Sequence, residues 1–83
     1  MFQVELIVKP RPGVFDPQGS AVEEALRALG EGELAVHCVG RYLSLEIAAS
    51  SEAEARRRAE AMCRRLLVNP SLETYELRIQ AVV

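Results

Sequence analysis

The alternation of apolar and polar residues at both ends of the chain constrains its fold most. Residues 2–9 place four apolar side chains at every second position: Phe2, Val4, Leu6 and Val8. From residue 72 onward the same spacing returns: Tyr75, Leu77, Ile79 and Ala81. Because successive side chains of a strand point to opposite faces, each pattern predicts a strand with one buried face. The chain therefore begins and ends in a sheet.

Two further alternating stretches flank Gly40 in the middle of the chain. The first has apolar side chains at alternate positions, Leu34, Val36 and Cys38. The second repeats the pattern after the glycine, at Leu43, Leu45 and Ile47. Glycine permits a tight reversal of the backbone, so we predict a hairpin over 34–48 with its turn at Gly40.

Two helices separate these predicted strands. Asp16 is a preferred N-cap residue and Pro17 suits the first helical position, so a helix should begin there. Its apolar stripe is Val22, Ala25, Leu26 and Leu29. Ser51 and Glu54 have the spacing of a capping box at the start of a second helix, which should end at Asn69-Pro70. The predicted buried stripe of that helix is Ala55, Ala59, Met62, Cys63 and Leu66.

The resulting order, βαββαβ, predicts an α+β fold of ferredoxin-like type. We expect a four-stranded antiparallel sheet with both helices on one face, formed by a single domain of residues 1–83. The other face should carry five apolar side chains among polar ones: Ile7, Ala35, Val39, Tyr42 and Ala48. That face is too apolar to be fully hydrated, so a homodimer or homotetramer is expected.

Charge and composition exclude several classes of protein. The net charge of −2 does not favour nucleic acid or an anionic membrane as a partner. The N-terminus alternates instead of forming an apolar run, which argues against a signal peptide and for the cytoplasm. Five Arg residues lie between 56 and 65, and three of them, Arg56, Arg58 and Arg64, have a Glu four positions earlier, an arrangement that predicts ion pairs along a solvated helix face.

The residues that usually carry catalysis are sparse in this sequence. His37 is the only histidine and has no acid or second ligand at a motif spacing, which is unfavourable for a metal site or a hydrolytic triad. Cys38 and Cys63 read as small hydrophobic residues on predicted strand and helix faces. The glycines form neither a dinucleotide fingerprint nor a phosphate-binding loop. We therefore expect no catalytic residue, no metal site and no bound cofactor.

Four segments in order nevertheless resemble one family over nearly the whole chain. They are Asp16-Pro17-Gln18-Gly19 with Ala21-Val22, then Gly40-Arg41-Tyr42, then Met62-Cys63 with Leu66-Leu67, and finally Asn69-Pro70 with Glu73 and Tyr75. In this order and spacing, they resemble the small PurS-type subunit of phosphoribosylformylglycinamidine synthase. Arg11 and Arg41 stand where many relatives carry Lys, and Thr74 stands where an acidic residue is common.

The resemblance implies a non-catalytic bridging role in purine biosynthesis. A glutaminase subunit would release ammonia, and a large synthase subunit would use it to convert formylglycinamide ribonucleotide to the amidine. ATP and Mg²⁺ are expected on the large subunit, and this chain would join the two. Seven residues at turns or on the open sheet face are the predicted partner contacts: Arg11, Asp16, Gln18, Gly19, Arg41, Tyr42 and Asn69.

Two other interpretations of the sequence remain open at this point, and a third is unfavourable. A small-molecule-binding regulatory domain of the ACT type shares the βαββαβ order, although such domains usually accompany a larger enzyme. A small ferredoxin-like enzyme, such as an acylphosphatase, would use Lys9 and Arg11 around an anion, but no Asn or His accompanies them in that loop. An RNA-recognition module would stack bases on Tyr42, yet the first strand offers no second aromatic on that face.

Overall fold

The computed structural model describes residues 1–82 and contains three strands, two α-helices and one π-helical turn. The elements, in chain order, are β1 (Phe2–Pro10), α1 (Pro17–Ala28), β2 (Arg41–Ile47), α2 (Glu52–Met62), the π-helical turn (Cys63–Leu67) and β3 (Glu73–Ala81). No helix within residues 1–82 is long and apolar enough to cross a membrane. The α+β composition agrees with the prediction.

The strands form an antiparallel sheet with β1 in the centre and the order β2-β1-β3. Leu6 lies opposite Leu43 of β2 and Leu77 of β3, so the alternating residues of all three strands share one face. That face is the core: Leu6 is fully buried, and it packs with Val8, Cys63 and Val68. The alternation at both ends of the chain and after Gly40 therefore predicted these three strands correctly.

The strand predicted over residues 34–39 is absent from the sheet of residues 1–82, so the predicted four-stranded antiparallel sheet is wrong for this chain. Residues 34–39 alternate as a strand would, but they lie beside α1 and pair with no strand of residues 1–82. Side chains of α1 take their backbone groups: Val36 N donates to Glu23 Oε1 at 2.9 Å, and Arg27 Nη2 donates to the Leu34 carbonyl at 3.2 Å. Alternation alone does not reveal whether a hairpin closes.

Helix α1 lies away from the sheet, which corrects the prediction that both helices cover one face. Of its residues only Gly19 is buried, whereas α2 packs against β1 and β3. We call residues 14–39, which comprise α1 and the returning segment, the arm. The arm makes the molecule elongated, with extents of 51 × 29 × 15 Å. Its apolar stripe is consequently left largely exposed.

The second helix begins as predicted but ends differently. Ser51 Oγ accepts from Glu54 N at 3.1 Å, which confirms the N-cap, while the Glu54 carboxylate bonds Ser50 instead of closing the box. At the other end Val68 N donates to the Cys63 carbonyl at 3.0 Å, five residues back. This wide turn directs Val68 into the core and leaves Leu66 84 % exposed, so the prediction of a buried Leu66 is wrong.

The open face of the sheet is more polar than the sequence predicted. Ala35 and Val39 belong to the arm, so Ile7 and Tyr42 are its main apolar side chains. They lie opposite each other, near an ion pair between Lys9 and Glu76 of 3.9 Å.

The Glu–Arg ion pairs predicted along α2 are absent: the ion pairs of residues 1–82 lie elsewhere.

Candidate partner interface

The arm joins the sheet at the end of β1, and we call this junction the elbow: residues 10–18, 39–41 and 69–73. An open cleft of about 210 Å³ occupies it. The cleft is lined by both ends of the arm, by the start of β2 and by the start of β3. Segments distant in sequence therefore meet on one surface, where most of the predicted contact residues lie.

Asp16 fastens the two ends of the arm to each other. It occupies the N-cap position of α1 with an extended backbone, as predicted, but its carboxylate makes no cap hydrogen bond within the helix. Asp16 Oδ2 instead accepts from the backbone N–H of Val39 at 2.8 Å. This bond is the main reason why the pKa of Asp16 lies below its ordinary value. The amides of Gly19 and Gln18 at the helix start lower the pKa further. An ionised Asp16 thus holds the returning segment against α1.

Two glycines are required by this arrangement for steric reasons. A Cβ atom on Gly19 would lie 2.5 Å from Asp16 Oδ2, in the space that the carboxylate uses to reach Val39. A Cβ atom on Gly40 would collide with the backbone carbonyl of Val8. Gly40 does not make the predicted tight reversal, because residues 34–40 contain no turn. Its role is close packing between the arm and β1.

Arg41 connects the starts of β2 and β3 across the end of β1. Its Nη1 and Nη2 bond the two carboxylate oxygens of Glu73 at 2.7 and 3.1 Å, and Nη2 also donates to the Leu67 carbonyl at 2.8 Å. The paired charges lower the pKa of Glu73 and raise that of Arg41, in each case chiefly through their hydrogen bonds. A planar guanidinium makes such a two-point contact, which Lys does not.

Asn69 and Arg11 order the turn that follows the π-helical segment. Asn69 Oδ1 accepts from Ser71 N at 3.1 Å, and Asn69 N donates to Glu73 Oε1 at 2.9 Å. Arg11 Nε donates to the Pro70 carbonyl at 2.8 Å. Both side chains therefore fix the backbone of the 69–73 turn, and their exposure leaves them open to a partner as well.

The remaining predicted residues are exposed. Gln18 lies on the rim of the elbow cleft, and Tyr42 is 60 % exposed on the open sheet face, just beyond the elbow. Sequence reasoning missed Phe15, which lines the cleft and is 76 % exposed. An aromatic side chain immediately before a helix N-cap was the only signal for it. The prediction that these residues contact a partner stays a prediction.

Other reactive side chains do not converge on the elbow. His37 and Cys38 are exposed in the arm, and Cys63 is buried in the core at the start of the π-helical turn. Burial raises the pKa of the Cys63 thiol, which therefore stays protonated near neutral pH. What the elbow presents is a fixed backbone, one exposed aromatic ring and several hydrogen-bonding groups, which suits recognition of another protein surface.

Comparison with known proteins identifies the family. The family model described as PurS, phosphoribosylformylglycinamidine (FGAM) synthase, matches residues 3–81. The chain is 35% identical over 81 residues to the phosphoribosylformylglycinamidine synthase subunit PurS of Synechocystis, covering 98% of this chain and 81% of that protein. It is 34% identical over 83 residues to the same subunit of Bacillus subtilis, covering 100% and 98%.

Solved structures agree with this match. The structure of Bacillus subtilis PurS superposes with a TM-score of 0.87 at 32% identity, covering 98% of this chain and 100% of that one. A chain in the structure of PurLQS from Thermotoga maritima superposes with a TM-score of 0.82 at 31% identity, covering 96% and 99%. The resemblance seen in the sequence is confirmed. The chain belongs to the PurS family of phosphoribosylformylglycinamidine synthase.

Proposed function

We propose that this chain is the non-catalytic subunit that bridges the glutaminase and the large synthase subunit of phosphoribosylformylglycinamidine synthase. The complex converts formylglycinamide ribonucleotide to the amidine with ATP and glutamine, in de novo purine biosynthesis. Support comes from the family match over residues 3–81 and from the likeness to a chain of the Thermotoga maritima PurLQS structure. A subunit of this kind acts through the surfaces that it joins.

The elbow is the observation that carries this proposal. Its backbone is held by the Asp16–Val39 bond and by the Arg41–Glu73 pair, yet Phe15 remains exposed there. An aromatic anchor on a pre-ordered backbone loses little conformational entropy on binding, which is the usual character of an interface hot spot. The elbow is therefore the surface that we assign to one of the two partner subunits.

The remaining parts of the complex follow from the same assignment. ATP and Mg²⁺ are held by the large synthase subunit, ammonia is released by the glutaminase, and the assembly works in the cytoplasm. The chain also self-associates as a dimer or tetramer, since three large apolar side chains in different regions of the molecule are exposed: Leu29, Tyr42 and Leu66.

Reconstitution from purified subunits tests the proposal. Omitting this chain should abolish or severely reduce glutamine-dependent amidation by the glutaminase and synthase pair. Ammonia-dependent amidation by the same pair should be largely retained, because the synthase holds the nucleotide chemistry. The bridging role is refuted if glutamine-dependent activity is unchanged without this chain.

A further inference from the structure

The outer edge of β3 is a long and regular strand edge that has no partner among residues 1–82. Strand β3 runs over nine residues and pairs there with β1 alone. Its register against β1 is continuous from Glu73 to Ala81, so no bulge interrupts it, and it contains neither proline nor glycine. A proline, a bulge or a very short strand commonly protects an edge from pairing with another chain. The β3 edge has none of these three features.

A hydrogen bond at the end of β3 shows which of its backbone groups point outward. Val82 N donates to the Met1 carbonyl at 3.0 Å, and these two residues form the next pair of the β1–β3 register. Successive residues of an antiparallel strand direct their backbone groups to opposite sides, so the even-numbered residues of β3 face β1. The N–H and C=O groups that point to the outer edge therefore belong to Tyr75, Leu77 and Ile79.

The open face of the same strand carries two opposite charges that contribute little within the chain. Arg78 forms no ion pair among residues 1–82, although Glu5 lies opposite it on β1. Glu76 approaches Lys9 only to 3.9 Å, and both side chains are about half exposed. Glu76 and Arg78 lie two positions apart on one face of the strand, and both charges are available to another molecule.

These charges make β3 complementary to a second copy of itself in one register. In a two-fold pair, side chains of the same sheet face must lie opposite each other, so the axis passes through a residue. An axis at Leu77 places Glu76 of each copy opposite Arg78 of the other and gives two ion pairs. An axis at position 76 or 78 would instead place like charges opposite each other, which is unfavourable. An axis farther away forms neither ion pair.

The same register uses the whole strand. Leu77 is the central residue of β3, so an axis there pairs all nine residues with those of the second copy. The outward-pointing residues then lie opposite one another, Leu77 with Leu77 and Tyr75 with Ile79, and exchange backbone hydrogen bonds. Glu76 and Arg78 form the closer, non-hydrogen-bonded type of pair, in which side chains approach each other best. Charge and strand length therefore select the same register independently.

We propose that two copies of this chain pair antiparallel through their β3 edges about Leu77, so that their sheets become one continuous sheet. This inference rests on the self-association included in the proposed function and specifies one contact of it. Because each copy offers a single β3 edge, the contact joins copies in pairs. It lies apart from the elbow and from Leu29 and Leu66, so these surfaces stay free for other contacts.

Charge reversal tests the register. Glu76→Arg places Arg opposite Arg at both crossing points, and Arg78→Glu places Glu opposite Glu. Either variant alone should halve the mass of the assembly that light scattering measures at micromolar concentration. The dissociation constant of the pairing should rise at least roughly tenfold. Both positions are exposed, so the fold of each copy should be retained.

Recombining the two charges supplies the matched controls. An equimolar mixture of the two variants again places Arg opposite Glu at both crossing points, so the mixture should regain the mass of the unaltered assembly. The double variant Glu76→Arg/Arg78→Glu exchanges the charges within one chain and should regain that mass by itself. Damage to the fold through the lost contact with Lys9 would not be repaired by mixing, because each chain keeps its own altered charge.

Disulfide trapping measures the same register independently. It places Thr74 of one copy opposite Gln80 of the other, with Cα atoms roughly 4.5 Å apart, a separation that a disulfide spans. Thr74→Cys and Gln80→Cys, each combined with Cys38→Ser, should therefore link under mild oxidation when they are mixed. Each variant alone is the control, because equivalent positions lie roughly 20 Å apart, at about 3.3 Å per residue. Cys63 is buried and does not compete.

Four results would overturn the proposal. The first is that the single charge reversals keep the mass of the unaltered assembly. The second is that the cysteine variants link no better when mixed than alone, which indicates random collision. The third is a 9.2 kDa monomer of the unaltered chain, which also removes self-association. The fourth is that the reversals weaken only the binding of glutaminase or synthase, because the edge then belongs to that subunit. The bridging role is judged separately, by glutamine-dependent amidation.

Discussion

The Arg41 guanidinium donates two hydrogen bonds to the Glu73 carboxylate, with N–O distances of 2.7 and 3.1 Å, and so joins two strands that are not neighbours. Strand β2 begins at Arg41 and β3 begins at Glu73, while β1 lies between them in the sheet. The pair therefore closes the end of the sheet at which the arm departs.

Acidification should weaken this closure. The folded-state pKa of Glu73 is lowered from 4.5, so its pairing stabilises the fold above that pH, and the stabilisation is lost as the pH falls through the folded-state value. Because the Arg41 side chain is half exposed and screened by solvent, we expect the loss to be no more than about 1 kcal/mol.

Urea unfolding of the unaltered chain and of Glu73→Gln, at one protein concentration, measures this difference. The variant should be less stable near neutral pH, and the two chains should become equally stable well below the ordinary glutamate pKa. Other acidic groups titrate in both chains, so the comparison isolates Glu73. A stability difference that does not change with pH would show that the carboxylate charge is not what Arg41 recognises.

Gly19→Ala should release the returning segment of the arm. The added Cβ would lie 2.5 Å from Asp16 Oδ2, so the carboxylate must move away from the Val39 amide. Hydrogen exchange at Val39 N–H should then become faster, because its acceptor is displaced. The matched control is Gly32→Ala, where an added Cβ meets no atom within 4 Å and φ is not positive. Equal exchange rates in both variants would contradict the role given to Gly19.

The sequence predicted the sheet well where burial decides the pattern. In β1, β2 and β3 one face is covered, and alternation of apolar side chains records that face directly. Residues 34–39 alternate in the same way, but their neighbour is a helix whose side chains take the backbone bonds. The alternation of apolar and polar side chains shows that a segment has an apolar face. It does not show which element covers that face.

The candidate interface was predictable in its location but not in its bonding. Residues such as Asn69 and Gly40 mark backbone with a special requirement, a turn at Asn69 and a close approach at Gly40, and the structure places both at the elbow. The partner of Arg41 lies 32 positions away in sequence, and no local pattern indicates a contact across that distance. Phe15 was not predicted as a contact residue, because an isolated aromatic residue in a loop belongs to no periodic pattern.

The π-helical turn gives a prediction that separates two leucines. Leu6→Ala should destabilise the fold by about 2–5 kcal/mol, since Leu6 is completely buried at the centre of the sheet. Leu66→Ala should change the stability of the folded monomer by no more than about 0.5 kcal/mol, because the wide turn directs Leu66 outward. Chemical denaturation of both variants at several protein concentrations, extrapolated to low concentration, checks the contrast.

Concentration then distinguishes the two roles of Leu66. If self-association buries Leu66, Leu66→Ala should weaken it while the monomer stays stable. Sedimentation over a range of concentrations measures the dissociation constant directly. A large loss of monomer stability in Leu66→Ala would instead show that this residue is part of the core and that the outward turn is wrong.

Phe15→Ala should impair assembly without harming the fold. The ring is 76 % exposed at the elbow cleft, so its removal leaves no cavity, and stability should change by no more than about 0.5 kcal/mol. A hot-spot aromatic at an interface typically costs about 2 kcal/mol or more when truncated, which weakens binding by a factor of roughly 30. Glutamine-dependent amidation in the reconstituted complex should fall at limiting amounts of the variant, while ammonia-dependent amidation should not.

The control for Phe15 is Val82→Ala, an exposed apolar side chain beside Met1 at the opposite end of the sheet. It should leave both activities and the affinity for the other subunits unchanged. Gln18→Ala, on the rim of the same cleft, should weaken assembly in the same direction as Phe15→Ala but to a smaller extent, because a solvated hydrogen bond contributes less than a buried ring. Normal assembly by both elbow variants would move the partner site away from the elbow and leave the family assignment intact.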